Sequence, residues 1–169
     1  MGIKGKLEVE VDIKISGDLF HELFGSRPHH VPNITPDKIH NCEVHEGEFG
    51  KPGSVLYWNY TLGQLLLWWE ENELLLTDAD DGKKCVAKVI VEAIDKENKC
   101  IRFKVIEGDL LNEFKSLTVN MQAIPMGEVT GVKWIAEFEK IHDDGPYPAK
   151  LMDFAVAITR DIEAHHLKN

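Results

Sequence analysis

Residues 100–141, CIRFKVIEGDLLNEFKSLTVNMQAIPMGEVTGVKWIAEFEKI, decide the fold. Ile101, Phe103 and Val105 alternate with Arg102 and Lys104; Leu117, Val119 and Met121 oppose Ser116, Thr118, Asn120 and Gln122; Trp134, Ala136 and Phe138 oppose Lys133, Glu137 and Glu139. A period of two is the signature of a strand with one buried and one wet face. Strands are therefore expected over 100–107, 114–124 and 131–141, separated by turn signals, EGD at 107–109 and PMGEVTG at 125–131. Strands joined by turns rather than by helices imply an antiparallel meander.

Working outward, the rest of the chain supplies the same kind of strand and one long helix. In MGIKGKLEVEVDIKI, Ile3, Leu7, Val9, Val11 and Ile13 share one parity, and Lys4, Lys6, Glu8, Glu10, Asp12 and Lys14 the other. Ser16 fits an N-cap for a short helix, GDLFHELFG, with Phe20, Leu23 and Phe24 on one face. SRPHHVPNITPDK, with three prolines, reads as a loop holding a broken helical turn. Further strands are expected at 39–45 and 54–61, joined by HEGEFGKPGS, and at 85–95, followed by the turn DKEN. In the closing stretch, DDGPYPAKLMDFAVAITRDIEAHHLKN, a helix starting near 146–148 lines up Leu151, Phe154, Ala155, Ile158 and Ile162. The economical architecture is α+β: a curved antiparallel sheet with the long helix against its concave face. With no repeat and no linker, residues 1–169 read as a single domain.

Composition narrows the function classes. The chain has 169 residues and a formal net charge of -10, which repels phosphate backbones and anionic lipid, so nucleic acid and membrane surfaces are poor partners. Cys42, Cys85 and Cys100 are odd in number and lack a CxxC spacing, which suits a reducing compartment. The N-terminal stretch lacks an apolar signal-peptide core, Lys6 breaks the myristoylation pattern, and no run is long and apolar enough to span a bilayer. A cytoplasmic location is the resulting expectation.

Four separated stretches, HELFGSRPHHVPNITPDKI, HEGEFGKPGSVLYWNY, KVIEGDLLNEFKSLTV and DIEAHHLKN, occur in order and resemble the major latex proteins. These are plant proteins of the superfamily that holds the birch pollen allergen and the pathogenesis-related class ten proteins. The resemblance implies a helix-grip fold: a seven-stranded curved antiparallel sheet around a long C-terminal helix, two short helices closing one end, and an internal apolar cavity. It implies binding of small hydrophobic molecules in a carrier or storage role, in plant defence and stress responses. On residues 54–61 two faces compete, Leu56, Trp58 and Tyr60 against Val55, Tyr57 and Asn59, and the resemblance favours the first as inward. The expected cavity set joins these to Phe20, then to Ile101, Phe103 and Val105, then to Leu117, Val119 and Met121. Trp134 and Phe138 come from the last strand, and Phe154 and Ile158 from the long helix. Tyr60, Trp58 and Trp134 would supply polar handles. Apolar strand faces also form solid cores, but one helix leaves space in a strongly curved sheet, which must be empty, wet or occupied.

No catalytic set is visible. Gly47, Gly50 and Gly53 form the family's glycine-rich loop, yet it lacks a GK[ST] ending on a helix, and a tight hairpin connection accounts for the glycines. His29-His30, His40, His45 and His165-His166 lack the spacing of a metal site, and no cofactor is implied. Some members of the superfamily are enzymes of specialised metabolism, condensing or isomerising substrates with polar residues inside the cavity. Lys115, on the inward parity of its strand, and Glu107 in the adjoining turn are the positions to test for that alternative. The gate and latch motifs of the hormone receptors in the superfamily are absent.

TLGQLLLWWEENELLLTDAD, residues 61–80, departs from this frame. Excising 62–80 joins SVLYWNYT to DGKKCVAKVIVEAID as a clean hairpin, with Asp81-Gly82 as its turn, so the stretch reads as an insertion. Its leucines and tryptophans run right round a helix axis, so a small hairpin with EENE as the turn suits it better. Three roles stay open: a lid over the cavity mouth, an apolar contact for weak self-association through Leu65, Trp68 and Trp69, or translated sequence without a selected role.

Overall fold

The structure, a computed structural model, describes residues 4–62, 65–70, 73–78, 83–142 and 148–168. Its strands are β1 (Lys4–Ile13), β2 (Ile39–Glu46), β3 (Val55–Leu62), β4 (Leu65–Glu70), β5 (Glu73–Asp78), β6 (Lys83–Asp95), β7 (Cys100–Gly108), β8 (Phe114–Met126) and β9 (Val129–Lys140). Its helices are α1 (Gly17–Gly25), α2 (Val31–Ile34) and α3 (Ala149–Leu167). Seven strands form one antiparallel sheet in the order β1-β9-β8-β7-β6-β3-β2, and β4-β5 is a separate two-stranded sheet. This is the expected seven-stranded α+β meander with a long C-terminal helix and short helices.

The register explains why alternation was so clear. Val9 faces Trp134, Trp134 faces Met121, and Met121 faces Ile101, so an apolar row crosses four strands. A second row runs Leu7–Ala136–Val119–Phe103. Because the side-chain period is two, one slipped residue would turn such a row to solvent, so these rows lock the pairing. Register shifts at Ile39/Asn41, Val44/Glu46, Lys88/Val89, Val91/Ala93 and Phe114/Ser116 bend the strands and give the sheet its curve.

The turns are tighter than expected in one place. The expected turn at 125–131 shrinks to Gly127-Glu128, with Met126 opposite Val129 and Gly127 at φ +76°. Pro125 does not end β8, because a proline only removes a donor and can sit at the end of a ladder. Ser16 caps α1 as expected, its hydroxyl accepting from Leu19 N at 3.2 Å. SRPHHVPNITPDK holds a turn of 3-10 helix (Pro28–His30) that leads into α2.

Strands β3 and β6 pair in one unbroken register from Val55↔Ile90 to Leu62↔Lys83. The hairpin is therefore complete without residues 63–82, and β4 and β5 pair only with each other, Leu67 opposite Leu76 and Trp69 opposite Leu74. The Asp81-Gly82 turn signal lies outside the described residues.

Helix α3 closes the concave side, and its polar ties cluster in one half. Trp134 Nε1 donates to Thr159 Oγ1 at 2.9 Å, inside the core. Asp161 Oδ2 accepts from Thr35 Oγ1 at 2.8 Å and from Lys38 Nζ at 2.7 Å, joining the helix to the segment after α2. Lys14 N donates to Glu163 Oε2 at 2.7 Å, and Arg160 reaches Asp12 O at 3.0 Å, joining it to the end of β1. Burial pulls the Lys38 ammonium down, but Asp161 and Asp37 outweigh it, so its pKa lies above the ordinary 10.5. A group held above its unfolded value contributes its full stability below pH 10.5 and loses it as pH rises through the shifted value.

Two outcomes follow. Asp161→Ala leaves the buried Thr35 hydroxyl without its acceptor and Lys38 with Asp37 alone, costing about 2 kcal/mol and lowering Tm by roughly 4–8 °C in a thermal melt. That deficit shrinks above pH 10.5, where wild-type Lys38 begins to lose its charge. Joining Leu62 to Lys83 through Asn-Gly in place of 63–82 leaves Tm unchanged or raises it; a lower Tm would show that the β4-β5 ribbon supports the sheet.

Candidate functional site

Between the sheet and the first half of α3 lies a cavity of about 130 Å³. An engineered apolar cavity of about 150 Å³ stays dry and takes up benzene, so this space suits a small apolar body. Its wall is apolar throughout. Strands β2, β3 and β6 supply Ile39, Trp58, Tyr60, Ala87 and Val89; β7 and its following turn supply Phe103, Val105 and Leu110; β8 and β9 supply Val119 and Trp134. Phe24 comes from α1, and Leu151, Met152, Phe154, Ala155 and Ile158 come from α3.

Of the residues singled out in the sequence, Trp58, Tyr60, Phe103, Val105, Val119, Trp134, Phe154 and Ile158 stand on this wall. Phe20, Leu56, Ile101, Leu117, Met121 and Phe138 are buried in the core around it and do not line it. Parity explains the division: it separates inside from outside but not the cavity from the packed ends of the sheet. Phe20 illustrates this, since its ring packs on Phe24 at 5.2 Å and edge-on to Trp134 at 6.4 Å, behind the wall. Phe138 similarly meets Phe114 at 5.6 Å. Missing from the sequence set were Phe24, Ile39, Ala87, Val89, Leu110, Leu151, Met152 and Ala155. The signal for Leu151 and Ala155 was already present in the stripe of α3, because a helix presents i, i+3 and i+4 to the same surface.

Lys115 does not share the inward face. The register shift between Phe114 and Ser116 turns Phe114 in, 2% exposed, and sends Lys115 out to solvent, 3.9 Å from Glu139. A bulge reverses parity for everything before it, which alternation alone cannot show. Glu107 is exposed as well. Both ionisable side chains considered for chemistry thus stand outside the cavity.

Of the three expected polar handles, Trp134 spends its N–H on Thr159. Trp58 is half-buried between Cys42 and Ala87 in the ladder. Tyr60 is buried, with its ring 5.6 Å from Phe154 and its hydroxyl beside the Cys85 thiol. Burial pushes the Tyr60 phenol up, helped by Cys85 and Asp109, and burial likewise pushes the Cys42 thiol up, so both stay protonated at neutral pH.

The glycine-rich loop, 47–53, consumes its own amides. Ser54 Oγ accepts from Glu48 N at 3.0 Å and donates to Glu48 O at 2.6 Å, and Gly53 N donates to Val91 O at 2.7 Å. Gly47 sits at φ +81°, and a Cβ there would fall 2.5 Å from Ser54 Oγ, so the position demands glycine for geometry alone. Phe49 stacks on His29 at 4.1 Å and docks the loop. His29 is held below its ordinary pKa by burial and by its neighbours His30 and Arg27. Among the described residues no group of three His, Cys, Asp or Glu side chains could hold a metal, and no helix is long and apolar enough to cross a membrane.

Comparison with known proteins agrees with this geometry. The model of the pathogenesis-related protein Bet v 1 family matches residues 2–72 and 68–169. MLP-like protein 43 of Arabidopsis thaliana is 43% identical over 165 residues, covering 96% of this chain and 93% of its own. MLP-like protein 31 of the same plant is 41% identical over 96% of this chain and 86% of its own. The crystal structure of ginseng major latex-like protein 151 from Panax ginseng superposes with TM-score 0.85 at 46% identity, covering 98% of this chain and 99% of that one. Norcoclaurine synthase from Thalictrum flavum shares the fold alone, with TM-score 0.64 at 16% identity over 97% of this chain and 89% of its own. The chain therefore belongs to the pathogenesis-related protein Bet v 1 family, among the major latex proteins.

Proposed function

We propose that this protein binds a small hydrophobic molecule in the cavity between the sheet and α3, and carries or stores it unchanged. The observation that carries this reading is the wall itself: it is apolar throughout, and Lys115 and Glu107 both point away from it. A site built for acid–base chemistry needs a titratable group within hydrogen-bond reach of its substrate, and nothing on this wall offers a charge. We read the chain as one domain, 1–169, acting in the cytoplasm of a plant cell during defence and stress, with about 62–80 as an insertion in the β3–β6 hairpin. The apolar composition of that insertion also supports weak self-association through Leu65, Trp68 and Trp69.

The second reading is an enzyme of specialised metabolism, which the shared fold of norcoclaurine synthase keeps in view. The two readings part on turnover. Calorimetric titration with naphthalene is expected to show one saturable site, with quenching of tryptophan emission from Trp58 and Trp134. Ala155→Leu pushes three carbons into the cavity and lowers that affinity at least tenfold, with Tm unchanged or raised. Lys115→Ala leaves the affinity within about twofold, since surface substitutions change little. Product formation that Lys115→Ala abolishes would replace binding with catalysis, and loss of naphthalene affinity in that variant would relocate the site.

A further inference from the structure

Strand β1 ends the seven-stranded sheet and pairs only with β9, so among the described strands its other edge has no neighbour. Two groups mark which residues face outward along that edge. Arg160 Nη1 donates to Asp12 O at 3.0 Å, and Lys14 N donates to Glu163 Oε2 at 2.7 Å, so both backbone groups point away from β9. Alternate residues of an antiparallel strand turn their N–H and C=O to opposite edges, so Lys4, Lys6, Glu8 and Glu10 face outward as well. Their outward backbone groups meet no partner among the described residues. Such an edge is a template for another strand.

The side chains of these residues decide which strand fits. All four are exposed, and their charges run plus, plus, minus, minus along the edge. Lysines alone would keep a second copy away; this order does not. Laid antiparallel against another β1 with Leu7 on the twofold axis, Lys4 meets Glu10 and Lys6 meets Glu8, on both sides of the axis. The same register brings outward backbone to outward backbone, giving roughly eight N–H···O bonds. Centring on Lys6 sets lysine against lysine, centring on Glu8 sets glutamate against glutamate, and in-register parallel pairing opposes like charges throughout. On the other face Leu7 meets Leu7 and Gly5 meets Val9, covering apolar side chains that the core leaves half-buried. The register stops at Glu10, short of the Asp12 carbonyl that Arg160 occupies. Within one copy Glu8 is held only by surface pairs, 3.7 Å from Lys6 and 3.5 Å from Lys133, which are worth little.

We propose that β1 is a self-pairing edge, at which two copies of this chain join antiparallel about an axis at Leu7 and continue the sheet across both. The partner is a second copy because the charge order of the strand complements its own reverse. No residue of β1 lines the cavity, so pairing leaves the cavity of each copy as it is. One strand edge buries little area and each copy carries a net charge of -10, so the dimer is weak and concentration-dependent.

Sedimentation equilibrium of the full chain over a wide concentration range tests it with charge reversals. Lys4→Glu with Lys6→Glu weakens self-association at least about tenfold, because four cross-strand pairs turn repulsive. Glu8→Lys with Glu10→Lys does the same, although it lowers the net charge that opposes association. Mixing the two variants restores a dimer, an all-negative edge on an all-positive one, and a chain with all four reversals dimerises as wild type does. Replacing 63–82 with Asn-Gly leaves the dimer intact, which separates this surface from self-association through Leu65, Trp68 and Trp69. In hydrogen exchange the amides of Lys6, Glu8 and Glu10 gain protection as wild type is concentrated, and gain none in the variant with both lysines reversed. The substituted side chains are all exposed, so the variants keep the wild-type fold. A wild type that stays monomeric overturns the inference. So does a dimer that the reversals leave unchanged, that mixing fails to restore, or that disappears with 63–82.

Discussion

Everything in this molecule depends on one helix covering a sheet that curves away from it. Seven bent strands present more apolar surface than nineteen residues of helix can fill, and the chain resolves the mismatch by dividing α3. The half around 159–163 is bonded to β9 through Trp134, to the α2 segment through Thr35 and Lys38, and to β1 through Lys14 and Asp12. The other half rests on the sheet by apolar contact, and that is where the space remains. Close packing elsewhere makes the cavity a product of geometry: an apolar void persists where the neighbouring backbone is too firmly held to collapse into it.

Most of the frame was legible in the sequence because the frame is made of period-two rows. Val9, Trp134, Met121 and Ile101 sit in four different strands and still announce the same inward face, since each stands next to a Glu, Lys, Asn or Arg on its own strand. Parity fails where the backbone adds a residue. At Phe114–Ser116 the bulge turned a lysine that alternation placed inside to the surface, and composition gives no warning of a bulge. The cavity was half legible for a related reason. Inward residues are recognisable one strand at a time, but whether an inward residue touches empty space or a neighbour depends on all the elements at once. Phe20 and Met121 are as buried as any residue here and never reach the cavity, while Ala87 and Ala155, too small to attract notice in a sequence, help to make the space by not filling it.

The stretch 61–80 shows the opposite case, where local sequence is loud and the main sheet pairs without it. Its leucines and tryptophans dominate a hydropathy reading, yet β3 and β6 pair across it as though it were absent, Leu62 meeting Lys83 in the register set by Val55 and Ile90. A hairpin tolerates a long connection because the cost of closing a loop grows only slowly with its length. The ribbon β4-β5 forms its own ladder rather than joining the seven-stranded sheet. The family match, in two overlapping segments, 2–72 and 68–169, breaks inside this same stretch.

Separating the ties from the cavity also bears on how such a fold can serve different ends. The bonds that hold α3 in place fall on Thr159, Asp161 and Glu163, none of which lines the cavity, and of the lining residues only Trp134 takes part in them. Wall positions can therefore change chemistry without loosening the frame, provided volume is roughly kept. A structure with 16% identity that superposes at TM-score 0.64 shows the frame recurring at low identity. In the present chain the wall has been written in carbon.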